Sequence, residues 1–247
     1  MSESGSPQAL QIIPARGGSK GIPQKNMALI GGKPLVEFTF QAALAARIPG
    51  RICLSTDDNN IRKFGLDCGV EAPFLRPSEL AQDDSSTISV IQHALDWYKK
   101  KESFFPDSII LLQPTCPFRS AKNIVEAYQI FQETKANALI SVNAVHDHPC
   151  EYITKNDGFF SFIMLPPIKP GRQNFPKVYF INGAIYITKT AYFTETKRLF
   201  DQSGQVYVMA RHESLDIDEP FDLEFANWLY EKSLEKEKPP HGHQIPS

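Results

Sequence analysis

The stretch IIPARGGSKGIPQKN, residues 12–26, sets the reading of the whole chain. An apolar run stops abruptly and gives way to three glycines (Gly17, Gly18, Gly21) and three cations (Arg16, Lys20, Lys25), with no carboxylate among them. Several like charges in one loop repel one another unless an anion lies between them, and glycines let backbone N–H groups approach that anion closely. The competing explanation is a solvated basic loop. That accounts for the lysines but not for glycines and cations falling together behind a buried strand.

Outward from the loop, the pattern alternates. Leu10–Pro14 reads as a buried strand, 34–46 as a helix, and Arg51–Ser55 as a second strand ending in Thr56-Asp57-Asp58. Asn59–Cys68 reads as a helix closed by Gly69, and Val70–Leu75 as an extended piece. A helix capped by Ser85 or Ser86 carries Ile88, Ile91, Leu95 and Tyr98 at helical spacing. Ile109–Leu112 is a continuous apolar strand, Ala121–Glu133 a helix and Ala138–Val142 a strand. This alternation predicts an α/β fold with a doubly wound, mostly parallel sheet. The rhythm breaks over 143–176, where Asn156-Asp157-Gly158 signals a hairpin turn. Strands at Val178–Ile187 and Val206–Met209 and a closing helix from Pro220 to Leu234 follow. One domain is expected over 1–247, with a small β-rich excursion at about 143–180 and a disordered tail at about 236–247.

Composition bounds the function. The chain has 247 residues, 42% apolar and 22% charged, and a net charge of -2, so neither nucleic acid nor a membrane surface is an expected partner. The start MSESGSPQ lacks the features of a secretory signal, and no apolar stretch reaches membrane-spanning length. The four cysteines are widely spaced with no CxxC pair, which argues against a zinc site or disulfide framework and for a cytoplasmic location. His146-Asp147-His148 reads as surface polarity rather than a metal site. GxxxxGK[ST] and GxGxxG are both absent, so the loop is neither a P-loop nor a dinucleotide fingerprint.

The loop ARGGSKGIPQKN resembles the signature of the acylneuraminate cytidylyltransferases. Five further blocks match that family in order: STDD at 55–58, LRPSELAQD at 75–83, LLQPTCPFR at 111–119, NGAIYI at 182–187 and SLDIDEPFDL at 214–223. The resemblance implies a nucleotidyltransferase that joins CTP to a nonulosonic acid and releases pyrophosphate. It implies that Arg16 and Lys25 hold the triphosphate and steady the transition state, with Gly17, Gly18, Ser19, Lys20 and Asn26 completing the cradle. Arg76 and Thr87 fall in the cytosine-reading part. A surface ion pair of Arg76 with Glu79, and first-turn packing of Thr87, are the plainer alternatives.

In an extended segment Asp216 and Asp218 point one way and Ile217 the other, into the core. Beside a polyphosphate that pair makes a Mg²⁺ site; alone it reads as an acidic edge with Asp218 capping the Pro220 helix. Adjacent Asp57 and Asp58 read as structural, one of them capping a helix. By resemblance Gln113, Thr115, Arg172 and Asn182 meet the sugar, Arg172 by its fork on a carboxylate. Plainer readings are a backbone hydrogen bond for Gln113 and a basic surface loop around Arg172. The resemblance also makes 143–180 a dimerisation arm that closes the partner's sugar pocket. Several sialate-specific bacterial members carry Arg-Pro where this chain has Phe180-Ile181, which makes legionaminic or pseudaminic acid a candidate beside N-acetylneuraminic acid. After Leu234 too few residues remain for the extra domain of some relatives. A non-catalytic nucleotide-binding module and an eight-carbon KDO-type acceptor are the alternatives.

Overall fold

The computed structural model describes residues 7–167 and 171–237. In chain order the elements are β1 (Ala9–Pro14), the short ribbon β2 (Leu29–Ile30) and β3 (Lys33–Pro34), α1 (Leu35–Ala46), β4 (Gly50–Ser55), α2 (Asn59–Asp67), α3 (Thr87–Glu102), β5 (Ser108–Leu111), α4 (Ala121–Glu133) and β6 (Ala138–Ala144). The hairpin β7 (Ile153–Asn156) and β8 (Phe159–Phe162) comes next, then β9 (Tyr179–Lys189), α5 (Thr190–Thr196), β10 (Gln205–Val208) and α6 (Pro220–Glu237).

Six strands form one sheet in the order β10-β6-β9-β5-β1-β4. β1 sits between β4 and β5, parallel to both, and all but its last residue are buried, which is why its sequence is an apolar run rather than an alternation. On one face Val36 and Phe40 of α1 and Ile124 and Phe131 of α4 pack against Ile13 and Ile110. On the other, Ile91, Leu95 and Tyr98 of α3 meet Leu10, Ile12 and Ile109. Helices on both faces make the sheet doubly wound, as the alternation implied.

One strand runs against the rest. β9 is antiparallel to β5 and β6. Where a helix crosses back over the sheet, the next strand starts at the opposite end and lies parallel. Between β6 and β9 the chain makes only the 145–178 excursion and re-enters at the same end, pairing Tyr179 with Ala144. The ladder between β6 and β9 is irregular between Ile140 and Val142. There Ser141 Oγ donates to Asn182 Oδ1 (2.6 Å) and accepts from the N–H of Ile185 (2.8 Å), satisfying the interrupted pairing.

Local details differ from the sequence reading in small ways. Val70–Leu75 forms only an isolated bridge, Glu71 to Cys53. Ser86, rather than Ser85, caps α3, and Asp58 caps α2 by accepting from the N–H groups of Asn60 (2.7 Å) and Ile61 (3.0 Å). The β2–β3 ribbon and α5 are additions. α6 reaches Glu237, two residues into the expected tail; residues 238–247 lie outside the described residues. No helix among the described residues is long and apolar enough to cross a membrane.

Candidate functional site

The carboxyl ends of β1 and β5 open into loops that border a cleft of about 400 Å³, the place where ligands enter open α/β sheets. Its wall includes Arg16, Gly18, Ser19, Lys20, Lys25 and Asn26 from the loop after β1, Arg76 and Thr87 from the chain around α3, Gln113 and Thr115 after β5, and Asp218.

The loop after β1 is braced from within. Asn26 is buried and its Nδ2 donates to the Arg16 carbonyl (2.8 Å). Ser19 Oγ donates to the Ile22 carbonyl and accepts from the Lys25 N–H (3.2 Å). Both side chains therefore shape the loop while lining the cleft. Gly17 turns its N–H to Asp57 Oδ1 (3.0 Å), away from the cleft, and is absent from the cleft lining. Of the glycine pair only Gly18 faces the opening.

Each loop cation meets an acid. Lys25 Nζ lies 2.9 Å from Asp218 Oδ1 and donates to the Ile217 carbonyl at 2.9 Å. Arg16 Nη1 lies 2.8 Å from Asp83 Oδ1, and Lys20 Nζ 3.2 Å from Asp83 Oδ2. The DID segment thus stands directly across the cleft from the loop. Gly21 permits this, since a Cβ there would lie far inside contact with the Asp218 carbonyl oxygen.

The DID segment has the expected alternation. Ile217 is fully buried with Ile22, Ile30 and Leu35, and its N–H donates to the Thr115 carbonyl (2.8 Å). Asp216 and Asp218 are both exposed, but only Asp218 lines the cleft. Asp216 is reachable by solvent, yet protein packs round its carboxyl; desolvation, reinforced by the Asp218 charge, raises its pKa. Asp222, in the first turn of α6, reaches back and accepts from the N–H groups of Asp218 (3.0 Å) and Glu219 (2.8 Å). Two carboxylates with solvent access and no soft ligand beyond the distant thiol of Cys116 (3.7 Å from Asp216 Oδ1) suit a hard cation that keeps waters and phosphate oxygens. Among the described residues no group of three or more His, Cys, Asp or Glu forms a protein-only cage.

Arg76 is not the surface ion pair that Glu79 suggested. It is 5% exposed, donates through Nε to Ser55 Oγ (3.1 Å) and through Nη2 to the Ser55 carbonyl, and burial lowers its pKa to about 10. Arg119 is buried more deeply, with burial lowering it to about 10. Its Nη1 holds the carbonyls of Gln113 (3.1 Å) and Ala184 (2.8 Å), and its Nη2 holds Thr39 Oγ1 (2.7 Å). It pins the turn that presents Gln113 and Thr115. Gly183, at φ +75°, sits where a Cβ would be 2.7 Å from Gln113 Oε1.

One of the expected sugar contacts lies elsewhere, and another cannot be placed. Asn182 is buried behind the cleft wall, its amide engaged by Ser141 and by Ser214 Oγ (2.9 Å), so it locks the β6–β9 irregularity instead of facing an open site. Arg172 opens a 3-10 turn in the arm; its side chain lies outside the described residues. Asp83 and Gln82, which line the cleft, were not singled out from the sequence, although both fall in the quoted block LRPSELAQD.

A family model described as Cytidylyltransferase matches residues 10–234. The N-acylneuraminate cytidylyltransferase of Escherichia coli O18:K1:H7 is 35% identical over 226 residues, 90% of this chain and 52% of that protein. The CMP-N,N'-diacetyllegionaminic acid synthase of Legionella pneumophila is 33% identical over 229 residues, 92% of this chain and 97% of that protein. The chain therefore spans about half the length of the first and nearly all of the second. A solved CMP:2-keto-3-deoxy-manno-octonic acid synthetase complexed with CTP has TM-score 0.69 at 18% identity, covering 92% of this chain and 99% of that one, a likeness of fold.

Proposed function

The chain belongs to the cytidylyltransferase family, and from that membership we propose that it transfers CMP from CTP to the anomeric hydroxyl of a nine-carbon nonulosonic acid, releasing pyrophosphate. The observation that carries the reading is the Lys25–Asp218 contact at 2.9 Å, which joins the cationic loop and the DID segment across one cleft.

The anomeric oxygen bonds to the α-phosphorus as the bond to the bridging β-phosphate oxygen breaks and pyrophosphate departs, and the hydroxyl proton passes to solvent, either directly or by way of Asp218. Charge gathers on phosphate oxygens, so positioning and electrostatic stabilisation supply the catalysis. Arg16, Lys20 and Lys25 grip the triphosphate, with Gly18 offering its backbone; Ser19 and Asn26 hold the loop in shape. Gly17, tied to Asp57, contributes through the loop's fold. Arg76 and Thr87 line the side of the cleft assigned to cytosine, and Gln113 and Thr115 the side assigned to the sugar. Asp216 and Asp218 would hold Mg²⁺, which when bound draws charge from the phosphates. The family match over residues 10–234 supports one cytidylyltransferase domain, and the reading keeps the enzyme in the cytoplasm.

The arm supports a homodimer. Phe159 is 80% exposed and Leu165 81%, with Phe160, Ile163 and Phe180 also largely in solvent, more apolar surface than an isolated hairpin leaves uncovered in a stable monomer. Phe180, in place of a cation, lies on the strand leading to the cleft. The relatives named above act on different acids at nearly equal identity, so we hold legionaminic acid and N-acetylneuraminic acid as the two acceptors to compare. Incubating the protein with CTP, Mg²⁺ and a panel of nine-carbon acids should release pyrophosphate with at least one. Nucleotide binding without release from any acid, the eight-carbon one included, would leave the binding module as the function.

A further inference from the structure

Arg16 and Lys20 leave one loop and converge on one carboxylate from a separate part of the chain. Oδ1 of Asp83 faces Arg16 at 2.8 Å and Oδ2 faces Lys20 at 3.2 Å. Each oxygen serves one cation, as two oxygens of a phosphate would between the same pair. Asp83 lies between the Ser78–Leu80 turn and the start of α3, and it lines the same cleft as both cations. Its carboxyl is held below the usual range by the hydrogen bond from Lys20 and then by that from Arg16. A loop with this much like charge requires an anion to stay closed, and here the protein supplies its own.

We propose that Asp83 stands in for the β- and γ-phosphates, holding Arg16 and Lys20 while no nucleotide is bound and competing with pyrophosphate for them after transfer. The inference rests on the reading that this loop grips CTP. An incoming triphosphate must take both cations from Asp83 and then lie beside its charge. On the product side the same carboxylate returns to the cations and opposes rebinding of pyrophosphate. Asp83 therefore weakens triphosphate binding in exchange for faster clearance of the cleft. CMP has no β- or γ-phosphate to contest the position, so its binding is independent of Asp83.

The test is calorimetric titration of the full chain with CTP, inorganic pyrophosphate and CMP, in EDTA and again in Mg²⁺, for the wild type, Asp83→Asn and Asp83→Glu. Exposed ion pairs are individually modest, so Asp83→Asn should bind CTP and pyrophosphate about three- to tenfold more tightly in EDTA, leave CMP unchanged, and show stronger product inhibition by pyrophosphate. Asp83→Glu should restore wild-type behaviour. Unchanged or weaker binding of CTP by Asp83→Asn in EDTA overturns the inference, and so does a loss confined to Mg²⁺, which would make Asp83 a metal ligand. A wild type that binds no CTP sinks the nucleotide reading itself, whereas a wild type that binds CTP with Asp83→Asn unchanged sinks only the role of Asp83.

Discussion

In the cleft, Arg16, Lys20, Lys25 and Arg76 each have an acid or a carbonyl within hydrogen-bonding reach, whereas along the arm Phe159, Phe160 and Leu165 stand largely in solvent. Charges are matched inside one chain; apolar surface is not. The contrast separates what one chain completes from what it is proposed to leave for a second. The half of the cleft proposed to hold the phosphates is lined by residues within 16–26, 76–87 and 216–218. The arm carries exposed apolar surface that another molecule is proposed to bury.

The sharpest way to break the comparison is Lys25→Ala. Lys25 is the least exposed of the three loop cations, at 14% for its side chain against 76% for Lys20. A fixed, partly desolvated donor gives more to a developing charge than a solvated one, so Lys25→Ala should lower kcat by about 10²–10³-fold, the cost of removing one oxyanion-type donor. Lys20→Ala should raise the KM for CTP with a much smaller loss in kcat. Equal effects of the two would return the loop to a solvated basic surface. Steady-state kinetics with continuous pyrophosphate detection measures both.

The arm side is tested by replacing Phe159 and Phe160 together with Ser. If these rings anchor a dimer, each contributes on the scale of an interface hot spot, and the dimer dissociation constant should rise at least about 30-fold. Sedimentation equilibrium reads this directly. The thermal midpoint at a concentration where both proteins are monomeric should barely move, because the rings are exposed in the single chain. The KM for the sugar should rise while the affinity for CTP stays put. A monomeric wild type, or a variant that loses CTP binding too, would dissolve the division between the two regions.

How much of this could be read beforehand depends on the range of the interaction. Buried strands are legible because burial on both faces forces apolar runs such as Leu10–Pro14. The DID triplet was legible because alternation is local: Ile217 is buried and both neighbours are exposed, Asp218 on the cleft. The direction of β9 was not, since it depends on which end of the sheet the excursion re-enters. Nor was the burial of Arg76 and Arg119, because charged residues are almost never buried without partners, and here the partners are distant carbonyls and hydroxyls that have no sequence signature. The tie of Gly17 to Asp57 spans 40 residues and that of Arg16 to Asp83 spans 67, so both emerge only when β1 and β4 stand side by side. Asn182 shows the converse: its block marked the right place, and the buried amide at that place supports the sheet.

Asp218→Asn gives the smallest change and bears on the half of the cleft that the loop does not supply. The substitution keeps the volume and leaves the Lys25 contact to the Ile217 carbonyl, so the loop stays opposite the DID segment. It removes one negative charge from the pair. If Asp216 and Asp218 hold Mg²⁺ together, the half-saturating Mg²⁺ concentration should rise by at least about tenfold, since even a partner in the outer coordination sphere costs that much. CTP binding in EDTA should not weaken, because an acid has left the neighbourhood of the phosphates. An unchanged Mg²⁺ titration would remove Asp218 from the metal site and leave its contact with Lys25 as its role. The two outcomes separate a carboxylate that recruits a cation from one that only positions a lysine.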